Sequence, residues 1–114
     1  MSSGIATLVI PTTDADAAKA LITVLAGQPH TDQPYYVGWN VDGFEIGLNP
    51  NGHSSGMTGP VNYWGVDDVP SAQQQLVAAG ATLGQPATDV GGGTTIGTVL
   101  DADGNVYGLI QRTG

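Results

Sequence analysis

Ile46-Gly47-Leu48 closes one segment of this chain, and Tyr107-Gly108-Leu109 closes another with Gly108 lying 61 residues after Gly47. Working backwards from each triplet, the same pieces recur in the same order. Ahead of the first lie the turn Asp42-Gly43, the strand-like Tyr36-Val37-Gly38-Trp39, a helical stretch ending at Ala26-Gly27, the pair Thr13-Asp14, and the apolar run Ile5-Ala6-Thr7-Leu8-Val9-Ile10. Ahead of the second lie Thr95-Ile96-Gly97-Thr98, a helical stretch ending at Ala79-Gly80, the pair Val66-Asp67, and Val61-Asn62-Tyr63-Trp64. Asp14 and Asp67 are separated by 53 residues, as are Gly27 and Gly80. Residues 5–50 and 61–111 are therefore two copies of one plan, strand, helix and strand meander. Equivalent positions of such a duplication converge on a shared interior.

Local signals define the pieces. Ile5 to Ile10, β-branched and closed by Pro11, reads as a buried strand. Thr13 or Asp14 caps a helix whose Ala17, Leu21, Val24 and Leu25 recur at 3.6 spacing and are expected on the core face, with Gly27 as its left-handed end. Tyr35–Val41 and Phe44–Leu48 form a hairpin around Asp42-Gly43, a dipeptide suited to a type I′ turn. The polar, Gly-rich stretch 49–60 is a linker. The second helix starts near Asp68, tolerates Pro70 in its first turn, and carries Val69, Ala72, Leu76 and Ala79 on one face. Thr94–Leu100 and Asn105–Gln111 make the second hairpin, with a weaker strand signal at Ala81–Leu83.

Each helix needs an apolar sheet face to cover. The expected fold is α+β: two βαβββ modules in a single domain over 1–114, forming a half-barrel with a concave cleft and the helices outside. Strand alternation turns Thr7 and Val9, Glu45 and Gly47, Val61 and Tyr63, and Gly108 toward that cleft.

Composition restricts the partners. Lys19 and Arg112 stand against ten carboxylates, a net charge of −8. Binding nucleic acid by neutralising phosphates needs cations that this chain lacks. Anionic membranes and strongly anionic substrates are disfavoured for the same reason. The chain has no cysteine, hence no disulfide or thiolate chemistry, and Met1-Ser2-Ser3-Gly4 has no basic start or apolar run. Both fit a cytoplasmic protein. No apolar stretch approaches the ~20 residues that span a bilayer.

With these pieces in hand, the chain resembles the vicinal-oxygen-chelate superfamily of glyoxalases, extradiol dioxygenases and bleomycin-resistance proteins. The two βαβββ copies carry the resemblance, with LNPNGHSSGMTGPVNYWGVDD at the junction (48–68) and DVGGGTT (89–95) and LDADGNVYGLIQ (100–111) at the end. It implies a homodimer and, in metal-dependent members, four strand-borne ligands in the cleft. Those four positions fall on Thr7, Gly47, Val61 and Gly108. Two have no side chain, one is a hydrocarbon, and a Thr hydroxyl is a poor ligand, whereas divalent ions want imidazole, thiolate or carboxylate. The expectation is no metal and no other cofactor.

The remaining candidates are few. Asp101, Asp103 and Asn105 have calcium-loop spacing, but Gly104 is misplaced and Arg112 sits where a bidentate Glu belongs, so they form a turn. Gly91-Gly92-Gly93 leads into a strand, not a helix, and lacks a following Lys. No Ser-His-Asp or Cys-His arrangement can be composed. His30, in GQPHTDQP, reads as a turn residue. Thr7, Trp39, Glu45, His53 and Tyr63 remain as ligand-binding candidates: two aromatic platforms, one carboxylate, one loop histidine and one hydroxyl. The expected function is metal-free binding of a small organic molecule, neutral or cationic, with drug or metabolite sequestration as its purpose. The alternative is an enzyme of lyase, isomerase or dioxygenase type with a metal-independent or non-standard site.

Overall fold

The computed structural model describes residues 2–112. The chain divides into two compact units, Thr7–Val61, and Met1–Ala6 together with Asn62–Gly114. The boundary does not follow the repeat as read from sequence, because it falls inside the first strand, β1 (Gly4–Pro11).

In the unit Thr7–Val61, β1 leads into α1 (Ala15–Ala26), followed by β2 (Thr31–Gln33), β3 (Tyr36–Val41) and β4 (Phe44–Asn49). β1 runs parallel to β4, while β3 is antiparallel to both β4 and β2. The helix begins where Asp14 Oδ1 accepts from the Ala17 N–H at 3.1 Å, filling a donor that would otherwise lack a partner. It ends at Gly27, whose φ of +83° is open to glycine at little cost. Asp42 and Gly43 both take positive φ, 53° and 85°, as the hairpin turn requires. Strand β2, in the segment read as a turn, is short and polar and pairs along one edge only.

The helix meets its sheet through a different face from the one the periodicity suggested. Ala18, Ile22 and Ala26, four apart, pack with Ile10 on Val37, Trp39 and Leu48. Leu21, Val24 and Leu25 point outward, 71%, 84% and 87% exposed. Trp39 accounts for the choice. Its indole is buried beneath the helix with Nε1–H donating to Gly27 O at 2.9 Å, and alanines on the contacting row leave room for it.

In the other unit, β5 (Val61–Gly65) leads to α2 (Val69–Ala78), β6 (Thr82–Leu83), β7 (Thr88–Gly91), β8 (Thr94–Leu100) and β9 (Val106–Arg112). β5 is parallel to β9 as β1 is to β4, and β8 is antiparallel to β9. β6 and β7 both pair with the far edge of β8, and β7 reaches Gly91, the first of the three consecutive glycines. Asp68 caps α2 by accepting from Ser71 N–H, and Gln111 Oε1 accepts from Val69 N–H at 2.8 Å. Gly97 is where this helix comes closest: a Cβ there would lie 2.7 Å from Gln73 Nε2 and 2.8 Å from Val69. Buried Gln73 is satisfied by Gln85 O and Thr98 O at 2.7 and 3.2 Å.

Candidate functional site

Cross-strand register decides which residues of β1, β2, β3 and β4 share the face turned away from α1. Thr7, Glu45 and Asn40 form one row; Val9, Gly47, Gly38 and Thr31 form the next. Gly38 and Gly47 are direct partners, so two adjacent strands offer a floor with no side chains. Three groups converge over it. A Cβ on Gly38 would lie 2.8 Å from the Tyr36 ring, 3.0 Å from Glu45 Oε2 and 3.2 Å from His30 Cε1. On Gly47 it would lie 2.5 Å from Tyr36 Cε1. The ring of Tyr36 thus occupies the space a side chain at position 47 needs.

These groups form a continuous hydrogen-bonded chain. Tyr36 O–H donates to Glu45 Oε2 at 2.5 Å. His30 Nε2 lies 2.8 Å from Glu45 Oε1, and His30 Nδ1 lies 2.7 Å from Thr31 Oγ1. An ionised carboxylate only accepts, so Nε2 carries the proton and a neutral His30 accepts the Thr31 hydroxyl at Nδ1. The Glu45 side chain is 17% exposed and that of His30 43%. The carboxylate is therefore sheltered and oriented on two sides, while the imidazole remains open to solvent.

In the second unit Tyr63 is the register partner of Gly108, and its Cδ2 would lie 2.6 Å from a Cβ there. Tyr63 is buried, which pushes its phenol above the usual range. Each unit therefore lays a tyrosine over the glycine of its closing strand.

No family model matches the chain, and no curated relative matches it. Solved structures do. A Vibrio splendidus member of the glyoxalase/bleomycin resistance protein/dioxygenase superfamily matches with a TM-score of 0.68 at 16% identity, over 93% of this chain and 97% of that one. Methylmalonyl-CoA epimerase from Mycobacterium tuberculosis matches with a TM-score of 0.68 at 16% identity, over 99% and 90%. A Legionella pneumophila chain named as an NAD-dependent benzaldehyde dehydrogenase matches at 0.75 and 15% identity, over 94% and 98%. The fold is the glyoxalase/bleomycin-resistance fold. At these identities the likeness fixes architecture and leaves the activity to the site.

The metal site that this superfamily implies does not fit the residues present. Gly47 and Gly108 bring no donor, and tyrosine rings fill the space beside both. Thr7 is 3% and Val61 4% exposed, one a hydroxyl and the other a hydrocarbon. Among the described residues no three His, Cys, Asp or Glu side chains group to hold an ion. Glu45 and His30 are two donors already engaged with each other.

Of the residues singled out from sequence, Thr7 and Glu45 are adjacent partners on the helix-distal face. Tyr63 covers Gly108 in the other unit. Two are placed elsewhere. Trp39, 1% exposed, belongs to the core under α1, because odd-numbered residues of β3 face the helix. His53 is exposed in the turn after β4, with Nδ1 3.1 Å from Met57 O, and joins neither cluster. His30 and Tyr36 were not singled out as site residues. The Gly38 and Gly47 cross-strand pair was their one available signal, since a glycine floor invites an aromatic neighbour.

Proposed function

We propose that the chain binds a small organic molecule without a resident metal ion, on the helix-distal face built from Thr7, Tyr36, Glu45 and His30. The observation that carries this reading is the Tyr36 ring over Gly47, which replaces a ligand position with an aromatic surface beside a sheltered carboxylate. An aromatic face and a carboxylate together favour neutral or cationic compounds. The ligand class extends to drugs or metabolites that the cell sequesters.

The hydrogen-bonded chain supports a second reading, a metal-independent enzyme of isomerase or lyase type. Glu45 would take a proton from substrate carbon or oxygen and Tyr36 or His30 would return one. Methylmalonyl-CoA epimerases share the fold, and an epimerisation is a proton removed and replaced. Each Glu45 oxygen accepts one hydrogen bond and keeps a second lone pair with which to take a substrate proton.

Metal analysis of the purified protein comes first; a stoichiometric transition metal would overturn both readings. Compound panels are then screened by nuclear magnetic resonance, watching the Gly38 and Gly47 amides. Binding that Tyr36→Phe and Glu45→Gln weaken, with no turnover, supports the binder. Turnover that Glu45→Gln abolishes supports the enzyme. Trp fluorescence is a poor reporter here, because Trp39 lies beneath α1 on the opposite face and Trp64 belongs to the other unit.

A further inference from the structure

Helix α2 does not cover its sheet evenly. It sits over β8 and β9, while Trp64 on the helix side of β5 stays 37% exposed. The result is an open groove of about 690 Å³ between the helix and the β5–β9 pair, of a size that small ligands fill. Trp64 and Tyr107 form aromatic walls, 37% and 40% exposed, with Leu76 and Leu109 as an apolar floor. Asp67 and Asp68 line its end, and no lysine or arginine does.

We propose that this groove is a second binding site, for an organic cation such as a quaternary or protonated amine. Two aromatic faces attract a cation through the ring quadrupole, and two carboxylates set the sign of the field. The start of α2 does not reverse that sign. Its Val69 N–H already donates to Gln111 Oε1 and its Ser71 N–H to Asp68 Oδ1, so those donors are satisfied. The Tyr107 ring is held in place by its hydroxyl donating to Asp101 Oδ2 at 2.8 Å, which brings a third carboxylate nearby. The groove is on the helix side of its sheet, opposite Tyr63 and Gly108, and is independent of the function proposed above.

The test uses the whole chain labelled with nitrogen-15, choline as probe, and its uncharged isostere 3,3-dimethylbutan-1-ol as control. Choline is expected to move the Trp64 indole N–H signal and the Asp67, Asp68, Val69 and Ser71 amides saturably, with the Trp39 indole and the Gly47 amide unmoved. The alcohol should bind at least about tenfold more weakly, the loss expected for removing a cation from an aromatic face. Asp67→Asn with Asp68→Asn should weaken choline by a similar factor while keeping the cap, since Asn caps as well as Asp. Trp64→Ala should abolish the shifts, with the Gly97 and Gly108 amides of the same unit reporting that its fold is intact. The proposal is overturned if no saturable shift occurs, if sodium chloride at equal ionic strength reproduces it, or if the alcohol binds equally. It is also overturned if the same signals move with protein concentration alone, which would assign the groove to a second copy.

Discussion

At the scale of single residues, the site is defined by what two glycines leave out. A methyl group at position 47 would overlap Tyr36, whose ring is held by the Glu45 carboxylate and cannot simply swing away. Gly47→Ala should therefore destabilise the fold by about 1–3 kcal/mol, the usual cost of overpacking. In a Tyr36→Ala background the same change should cost far less, and urea denaturation of the four variants of the cycle measures the coupling. Equal costs in both backgrounds would show that the ring does not occupy the space. Asp101 makes a second residue-level test. Hydrogen bonds from the Asn105 side chain, the Tyr107 hydroxyl and the Asn105 and Asp103 N–H groups lower its pKa from 3.8 to about 2. A depressed folded pKa contributes stability above the unfolded value that is lost as pH falls through the folded one. The stability difference between the protein and its Asp101→Asn variant should thus be constant above about pH 4 and shrink toward pH 2. A difference that persists unchanged to pH 2 would count against the turn's hydrogen bonds to the ionised carboxylate.

At the scale of elements, α1 presents two apolar rows, and periodicity cannot choose between them. Ala17, Leu21, Val24 and Leu25 make one; Ala18, Ile22 and Ala26 make the other. The row with less apolar volume faces the sheet, because Trp39 already fills the space beneath the helix. Ile22→Ala should cost about 2 kcal/mol, near the low end for a half-buried aliphatic, while Leu21→Gln and Leu25→Gln should each change stability by less than about 0.5 kcal/mol. Chemical denaturation distinguishes these; a large loss at Leu21 would restore the face expected from sequence. Helix caps at Asp14 and Asp68 and the Asp42-Gly43 turn are legible because each depends on chemistry within a few residues, and the paired modules because the same pieces recur in order. β2 was not, since Thr31-Asp32-Gln33 carries no apolar alternation and exists through pairing with β3. With β2 hidden, the approach of His30 to Glu45, 15 residues apart, was hidden too. Trp39 is a ligand-binding candidate by its aromatic character alone, and the facing of β3, which puts it in the core, decides against that role.

At the scale of the whole molecule, charge and exposed apolar surface oppose each other. A net charge of −8 makes copies repel one another at neutral pH, and Leu21, Val24 and Leu25 form a solvent-facing apolar row that opposes this. That repulsion disappears near the isoelectric point of about 4.1. An apolar row on a neutral molecule promotes association, as an equally exposed row on a charged one does not. Light scattering should therefore peak near pH 4, and it should fall sharply in the triple variant Leu21→Gln, Val24→Gln, Leu25→Gln. Glutamine has the helix propensity to leave α1 intact, so circular dichroism should be the same for both proteins across the range. If the two scattering profiles coincide while both proteins stay folded, association near the isoelectric point runs through another surface. The Trp64 groove beside α2 is then the next surface to alter.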